Sequence, residues 1–272
     1  MIPPGGSRAA PWAMLPPGPL DGGEGMLMVW GKPGRQAMRR MTRRVFLGLA
    51  AAAMFVPRLV ARAGAALFPV RTVEVEDFAF DPGSGTVRWG GGAGSPYVLV
   101  VDGQVERPLR LDYAALRALP QAAMTADFHC VEGWSVPDLA WKGLRLSTLA
   151  ELVGPRPEAR YVIFHALGGT RSRPGGLDHY VECLPLADLL DPALGYLLAL
   201  DLDGAPVPLA HGAPLRLVCP FDLAYKAIKF VTRLEFSDTA QDGWWTRANG
   251  IYTAFAPVEP ERLRVRDPRS LR

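Results

Sequence analysis

The chain has 272 residues, 49% of them hydrophobic and 21% charged, a globular composition long enough for one generous core. Its net charge of +3 is uneven, because residues 1–63 carry nine Lys and Arg against only Asp21 and Glu24, leaving 21 basic and 25 acidic groups in the rest. The body of the protein therefore lacks a basic footprint for nucleic acid, and three cysteines without a C-x-x-C exclude haem attachment and a cysteine-ligated iron–sulfur array.

Residues 1–37 are rich in Pro, Gly and Ala without periodicity. They read as a disordered leader, or as sequence upstream of a true start at Met38 or Met41. The segment Met41-Thr42-Arg43-Arg44-Val45-Phe46-Leu47-Gly48 then places paired arginines before an uncharged apolar run over 45–56. As a helix that run spans about 18 Å, short of the roughly 30 Å of a hydrocarbon core. Ala61-Arg62-Ala63 supplies a small-x-small cleavage site. Residues 38–63 thus predict a twin-arginine-type signal peptide, a route for proteins folded before export, and a periplasmic or extracellular location. Left uncleaved, the same segment is a membrane tether.

Residues 64–96 are predicted to be an irregular lead-in, ending in Gly90-Gly91-Gly92-Ala93-Gly94. The β-branched run 97–101 predicts a strand entering a turn at Asp102-Gly103. Apolar spacing over 111–119 predicts a short helix capped by Asp112, and Leu146–Val153 another, opened near Ser147 or Thr148 and closed by Gly154. Strands follow at Tyr161–Ala166, 196–202, 215–219 and 228–236, with a helical turn at Leu186–Leu190. Short strands and helices alternate without βαβ spacing, so the fold class expected is α+β: a single mixed domain over 97–256, then a surface-wrapping tail, 257–272.

The segment that carries chemistry is Asp127-Phe128-His129-Cys130-Val131-Glu132-Gly133-Trp134-Ser135. Taken alone, Cys130 reads first as a buried thiol behaving as a small hydrophobe. A Cys–His nucleophile pair is a second reading. It is disfavoured because neighbours on an extended chain point to opposite faces, which leaves His129 turned away. By the same periodicity Glu132 points to the side of Cys130. Cys183 and Cys219 read as structural thiols; one disulfide is conceivable, with an odd cysteine left over.

Several blocks in order resemble the sulfite oxidase family. They are Phe128 to Ser135 with Trp141-Lys142-Gly143 and Leu149, then Gly204-Ala205-Pro206-Val207-Pro208 and His211-Gly212-Ala213-Pro214-Leu215-Arg216-Leu217. Tyr225-Lys226-Ala227-Ile228-Lys229 and Leu234-Glu235-Phe236 complete the set, so the likeness covers 97–255.

The resemblance implies a molybdopterin cofactor carrying one molybdenum, with Cys130 as the protein's metal ligand. It implies cofactor contacts at His211, Arg216, Ala227, Ile228 and Lys229, matched to the family's bacterial methionine-sulfoxide reductase branch. There His211 replaces an asparagine and Ala166 a threonine. Glu132 matches a glutamate of that branch and is expected in the metal pocket. Trp134, Trp244, Trp245 and Tyr252 are expected as packing or pocket walls, and His165 as hydrogen-bonded core.

Only 17 residues follow Phe255, too few for the immunoglobulin-like domain of sulfite oxidases proper. A minimal catalytic domain is expected, exchanging electrons with a separate membrane haem protein or soluble cytochrome. The implied chemistry is oxygen-atom transfer on a small sulfur compound: reduction of a sulfoxide, small or protein-borne, or oxidation of sulfite. A sulfite site needs several arginines, and Arg171 and Arg173 are candidates. The alternative is a cofactor-free exported binding domain that keeps the fold without catalysis.

Overall fold

The computed structural model describes residues 73–75 and 77–271, so the leader and the signal lie outside the described residues. The expected irregular lead-in is ordered over its second half. Strands β1 (Phe78–Asp81), β2 (Thr86–Trp89) and β3 (Gly94–Pro96) form a three-stranded antiparallel sheet. The Asp81 carboxylate closes the first turn, accepting from Gly83 N (2.9 Å) and Ser84 Oγ (2.6 Å). Distant aromatic contacts hold the sheet down, Phe78 against Phe230 and Phe80 against Tyr113. A local reading of short strands could not supply those partners.

Next come β4 (Val98–Gly103), β5 (Leu109–Asp112) and α1 (Tyr113–Ala118). Asp112 caps α1 as predicted, its carboxylate accepting from Ala115 N at 2.7 Å. Two unpredicted strands, β6 (Ala122–His129) and β7 (Ser135–Arg145), form a long antiparallel hairpin. Helix α2 (Leu146–Val153) buries Leu146, Leu149, Ala150 and Val153 and stops at Gly154, whose φ of 61° is left-handed. Strand β8 (Tyr161–Ala166) and the unpredicted β9 (Val181–Pro185) are followed by α3 (Leu186–Leu190). The chain continues through β10 (Leu197–Leu202), β11 (Ala205–Pro206), β12 (Arg216–Val218), β13 (Val231–Ser237) and α4 (Trp244–Ala248).

These strands make two further sheets. One runs β5-β4-β13-β8-β9, with only the β4–β13 pair parallel. The other runs β11-β10-β7-β6, with β12 also paired to β10. Leu99, Val101, Phe164, Leu234 and Phe236 of the first sheet share one core with Leu144, Leu198, Leu200 and Leu217 of the second. Burying each such side chain stabilises by about 1.5–3 kcal/mol, enough to fix strand register. β10 is covered on both faces, since Leu197 and Ala199 enter a second cluster with Trp141 and Val218. The architecture is the expected α+β type, rich in short strands with few short helices.

One buried ion pair ties the loops to this core. Lys226, in the turn Ala224–Lys226, is 1% exposed and pairs with the fully buried Glu182 of β9. Its Nζ also donates to Cys183 O (3.0 Å) and Ala254 O (2.8 Å), binding β9 and the chain after α4 to one ammonium. Burial pushes the Glu182 carboxyl up, and Lys226 draws it back. Gly243 is required beside it, since a Cβ there would lie 2.5 Å from a carboxylate oxygen. Beyond α4 the tail docks on the loop after β12, through Leu223 N to Ala256 O (2.8 Å) and Val258 N to Phe221 O (3.0 Å). All three cysteines are free, Cys183 and Cys219 buried. No described helix is long and apolar enough to cross a membrane.

Removing one partner strands the other charge in the core. Lys226→Met is expected to cost about 3–5 kcal/mol in urea unfolding, and the double variant with Glu182→Leu to recover part of it. A double variant as unstable as the single would show that the lost carbonyl bonds, not the stranded carboxylate, carry the effect.

Candidate functional site

The tip of the β6–β7 hairpin carries Cys130. The chain reverses there because Cys130 N donates to Trp134 O (2.9 Å) and Gly133 N to Cys130 O (3.1 Å), with Gly133 at a φ of 90°. Burial pushes the half-buried Cys130 thiol up, opposed first by the backbone N–H of Glu132. His129 is 3% exposed and engages Ser135 Oγ through Nδ1 at 2.8 Å, so it is committed within the hairpin. Glu132 departs from the extended geometry expected of it. Residues 131–133 form the turn, and the exposed Glu132 carboxylate accepts from Trp134 Nε1 at 3.3 Å. Strand periodicity does not apply across a turn, which is why that inference failed.

Behind the hairpin lies Arg216, 5% exposed. Its guanidinium sits 5.6 Å from the centroid of Phe128 and 5.2 Å from that of Trp141, sandwiched by the two strands of the hairpin. It donates to His211 O (2.9 Å), Ala227 O (3.3 Å) and Leu217 O (3.4 Å). No described carboxylate pairs with it, and burial pushes its pKa down to about 10. Residue type alone suggests a solvated surface arginine; the fold makes it an interior cation.

His211 ends the turn Leu209–His211, followed by Gly212 at a φ of 110°. A Cβ on Gly212 would meet Lys229 Cβ and Cγ at 2.9 Å, so glycine lets the two loops touch. Partial burial and the nearby Arg216 and Lys229 push the His211 imidazole down. Lys229 Nζ stands 4.8 Å from the Phe230 ring. Ala227 and Ile228 are buried, and the Ile228 carbonyl accepts from Leu217 N at 2.9 Å. The structure therefore brings His211 and Ala227 onto the Arg216 guanidinium, Ile228 onto the adjacent Leu217 and Lys229 onto Gly212, with the guanidinium stacked on Phe128 two residues before Cys130. Phe128, His129, Trp141, Arg216 and Ala227 line a cavity of about 10 Å³, room for one water. Trp141 Nε1 is buried beside it without a hydrogen-bond partner.

Other sequence candidates lie elsewhere. His165 projects from the outer face of β8. Its Nδ1 is 2.9 Å from His179 Nε2 and its Nε2 is 3.2 Å from Glu235 Oε2, while His179 Nδ1 reaches Asp178 Oδ1 at 2.7 Å. Burial, then His179 and Arg233, push the His165 pKa down. Arg171 and Arg173 are exposed, and Arg173 acts on the Asp178 carboxylate. Trp244 stacks on Tyr180 and Trp245 packs on Tyr252, as walls rather than reacting groups. Sequence reasoning missed Arg262, whose Nη2 donates to Cys130 O at 2.8 Å. The only local signal was the run of arginines in the tail.

Comparison with known proteins places these residues in a family. The model of the oxidoreductase molybdopterin binding domain matches residues 92–245, more than half of the chain. The uncharacterized oxidoreductase YuiH of Bacillus subtilis (strain 168) is 35% identical over 165 residues, 61% of this chain and 77% of that protein. The protein-methionine-sulfoxide reductase catalytic subunit MsrP of Gluconobacter oxydans (strain 621H) is 34% identical over 175 residues, and the match spans 55% of that subunit. Among solved structures, the sulfane dehydrogenase SoxCD from Paracoccus pantotrophus aligns with a TM-score of 0.47 at 22% identity, covering 63% of this chain and 46% of that one. The chain belongs to the sulfite oxidase family of molybdopterin-binding oxidoreductases, and is by class a molybdenum-cofactor oxidoreductase.

Two outcomes follow from this geometry. Arg216→Lys keeps the charge but cannot fork between His211 O and Ala227 O, so a lower thermal midpoint and reduced molybdenum content are expected. A wild-type midpoint and metal content would show that the fork is dispensable. Because the folded His165 pKa is depressed, its contribution to stability is present above about pH 6.5 and is lost as pH falls below that. His165→Asn is expected to flatten the acid-side loss of thermal stability relative to wild type, and equal slopes would contradict this.

Proposed function

We propose that this member of the family is an exported catalytic subunit that binds one molybdopterin with one molybdenum through Cys130 and reduces a neutral sulfoxide to a thioether. The residues fit such a group. Cys130 offers a soft thiolate, and no cluster of three His, Cys, Asp or Glu among the described residues could hold a metal by itself. That suits a metal that arrives with its own sulfur ligands. Arg216 is a buried cation that forms no ion pair among the described residues, with three of its five N–H groups committed to backbone carbonyls, one of them that of His211. A guanidinium with N–H groups to spare is suited to an anionic phosphate. Cys130 is accordingly assigned as the metal ligand, and His211, Arg216, Ala227, Ile228 and Lys229 as the groups that hold the pterin. Once bound, the cofactor supplies two-electron oxygen-atom transfer.

The choice of substrate rests on the surroundings of Cys130. Arg262 and Arg264 lie nearest among the guanidinium groups of the tail, and both are engaged: Arg262 on Cys130 O and Trp134 O, Arg264 on Asp127 and Asp138. An oxyanion such as sulfite calls for uncommitted guanidinium donors. Val131 and Trp134 are instead 38% and 48% exposed, and Trp134 packs near the Phe128 ring, an apolar rim suited to a neutral sulfur compound. The relative named for protein-methionine-sulfoxide reduction supports the same direction.

Reduction of a sulfoxide takes up two electrons and two protons and releases a thioether and water. Glu132, exposed on the turn, is the carboxyl assigned to proton delivery. The electrons come from a separate carrier, a membrane haem protein or a soluble cytochrome, in keeping with a sequence free of haem and iron–sulfur motifs. The twin-arginine-type segment over 38–63 supports export to the periplasm. Sulfite oxidation is the second reading.

Elemental analysis of protein made in a molybdopterin-producing host, beside Cys130→Ser, tests the assignment. Near-stoichiometric molybdenum is expected in the wild type, with loss of metal or of activity in the variant. With an artificial electron donor, methyl sulfoxides are expected to be turned over. Turnover of sulfite alone would reverse the direction, and well-folded protein without molybdenum would remove the assignment of Cys130 as the metal ligand.

A further inference from the structure

The tail that follows the matched domain is fastened to the cysteine turn by arginines. Its first hold is Arg262, at the end of the turn Pro260–Arg262. The Nη2 of Arg262 donates to Cys130 O (2.8 Å) and Trp134 O (2.9 Å), while Nη1 donates to Glu259 Oε2 (2.9 Å). Those two carbonyls also accept the bonds that close the turn, from Gly133 N and Cys130 N. One guanidinium nitrogen thus clamps both ends of the reversal that presents the thiol. The Arg262 side chain is only 18% exposed, so solvent competes weakly for it.

Two residues on, Arg264 grips the strands below. Its Nε donates to Asp127 Oδ2 (2.8 Å) on β6, and its Nη2 pairs with Asp138 Oδ1 (2.7 Å) on β7. Further along, Arg269 anchors the tail on the buried Asp222 (2.8 Å) and on Phe221 O (2.8 Å), over the ring of Phe255. All three arginines lie beyond the matched residues 92–245, so this fastening is not part of the matched domain.

We propose that Arg262 is a positioning residue for Cys130: by holding the carbonyls of Cys130 and Trp134 it fixes the direction of the thiolate and places a cation beside it. The inference rests on the reading of Cys130 as the molybdenum ligand. Partners of a ligand's backbone act as an outer shell, orienting the sulfur and tuning the metal through the nearby charge. Arg264 and Arg269 position the strap without touching the turn, so their loss should weaken the fold and leave the metal's surroundings alone.

The test compares full-length Arg262→Ala, Arg262→Lys and Arg264→Ala with the wild type. In cofactor-free protein, amide hydrogen exchange at Cys130 and Gly133 is expected to rise about tenfold in Arg262→Ala, since the loss of a charge-assisted bond is worth roughly a factor of ten. In the loaded protein, the same variant is expected to show altered Mo(V) paramagnetic-resonance g-values and a kcat lower by about 10- to 100-fold, the usual cost of an outer-shell change. KM should move less. Arg262→Lys should restore part of the exchange protection and of the spectrum, and serves as the test variant if the alanine form does not fold.

Arg264→Ala should lower the thermal midpoint while keeping the wild-type spectrum. Unchanged exchange and an unchanged spectrum in the Arg262 variants, in a wild type that binds molybdenum, would overturn the inference. So would an Arg264→Ala spectrum altered as much as that of Arg262→Ala. A wild type without molybdenum instead removes the reading of Cys130, a failure that the metal analysis separates from this one.

Discussion

A buried guanidinium held by aromatic rings and backbone carbonyls, with no ion pair among the described residues, is the constraint around which the site is arranged. Arg216 occupies the interior at a cost in solvation that a surface arginine never meets, offset by two aromatic faces and three backbone carbonyls. All but the carbonyl of the adjacent Leu217 come from other pieces of chain. Phe128 and Trp141 come from the two strands of the hairpin that carries Cys130, His211 from the turn before β12, and Ala227 from the loop after it. A single side chain therefore sets the distance between the cysteine hairpin and the two loops proposed to hold the cofactor.

The same device recurs around it. Lys226 gathers Glu182, Cys183 O and Ala254 O, so the loop bearing Ala227, Ile228 and Lys229 is tied to β9 and to the chain after α4. Arg262 gathers Cys130 O and Trp134 O, and Arg269 gathers Asp222 and Phe221 O. Cations that donate several hydrogen bonds to carbonyls can order irregular chain that no strand ladder reaches.

Much of the regular structure was legible in the residues. The cap at Asp112, the stop at Gly154 and the apolar runs of β8 and β10 carry local signals strong enough to survive tertiary packing. The hairpin β6–β7 was not legible. Its strands mix Ala, Met, Thr, Asp and Lys in half-buried positions, and β-structure of that kind is decided by cross-strand partners rather than by propensity. The three-stranded sheet of 78–96 was hidden for the same reason, since its aromatics find their partners at Tyr113 and Phe230.

Sequence by itself determined the family and the α+β class, because chemistry-bearing blocks in a fixed order are a property of the chain alone. Only the tertiary structure decided where the candidate residues sit and what they touch. It turned Arg216 inward, placed Glu132 on an exposed turn rather than an extended strand, and sent His165 to the outer face of its sheet. It also brought Arg262 across 132 positions of sequence onto the carbonyl of Cys130. The physical reason is that burial and hydrogen-bond partnership are set by contacts between distant segments, which no local pattern of residues encodes.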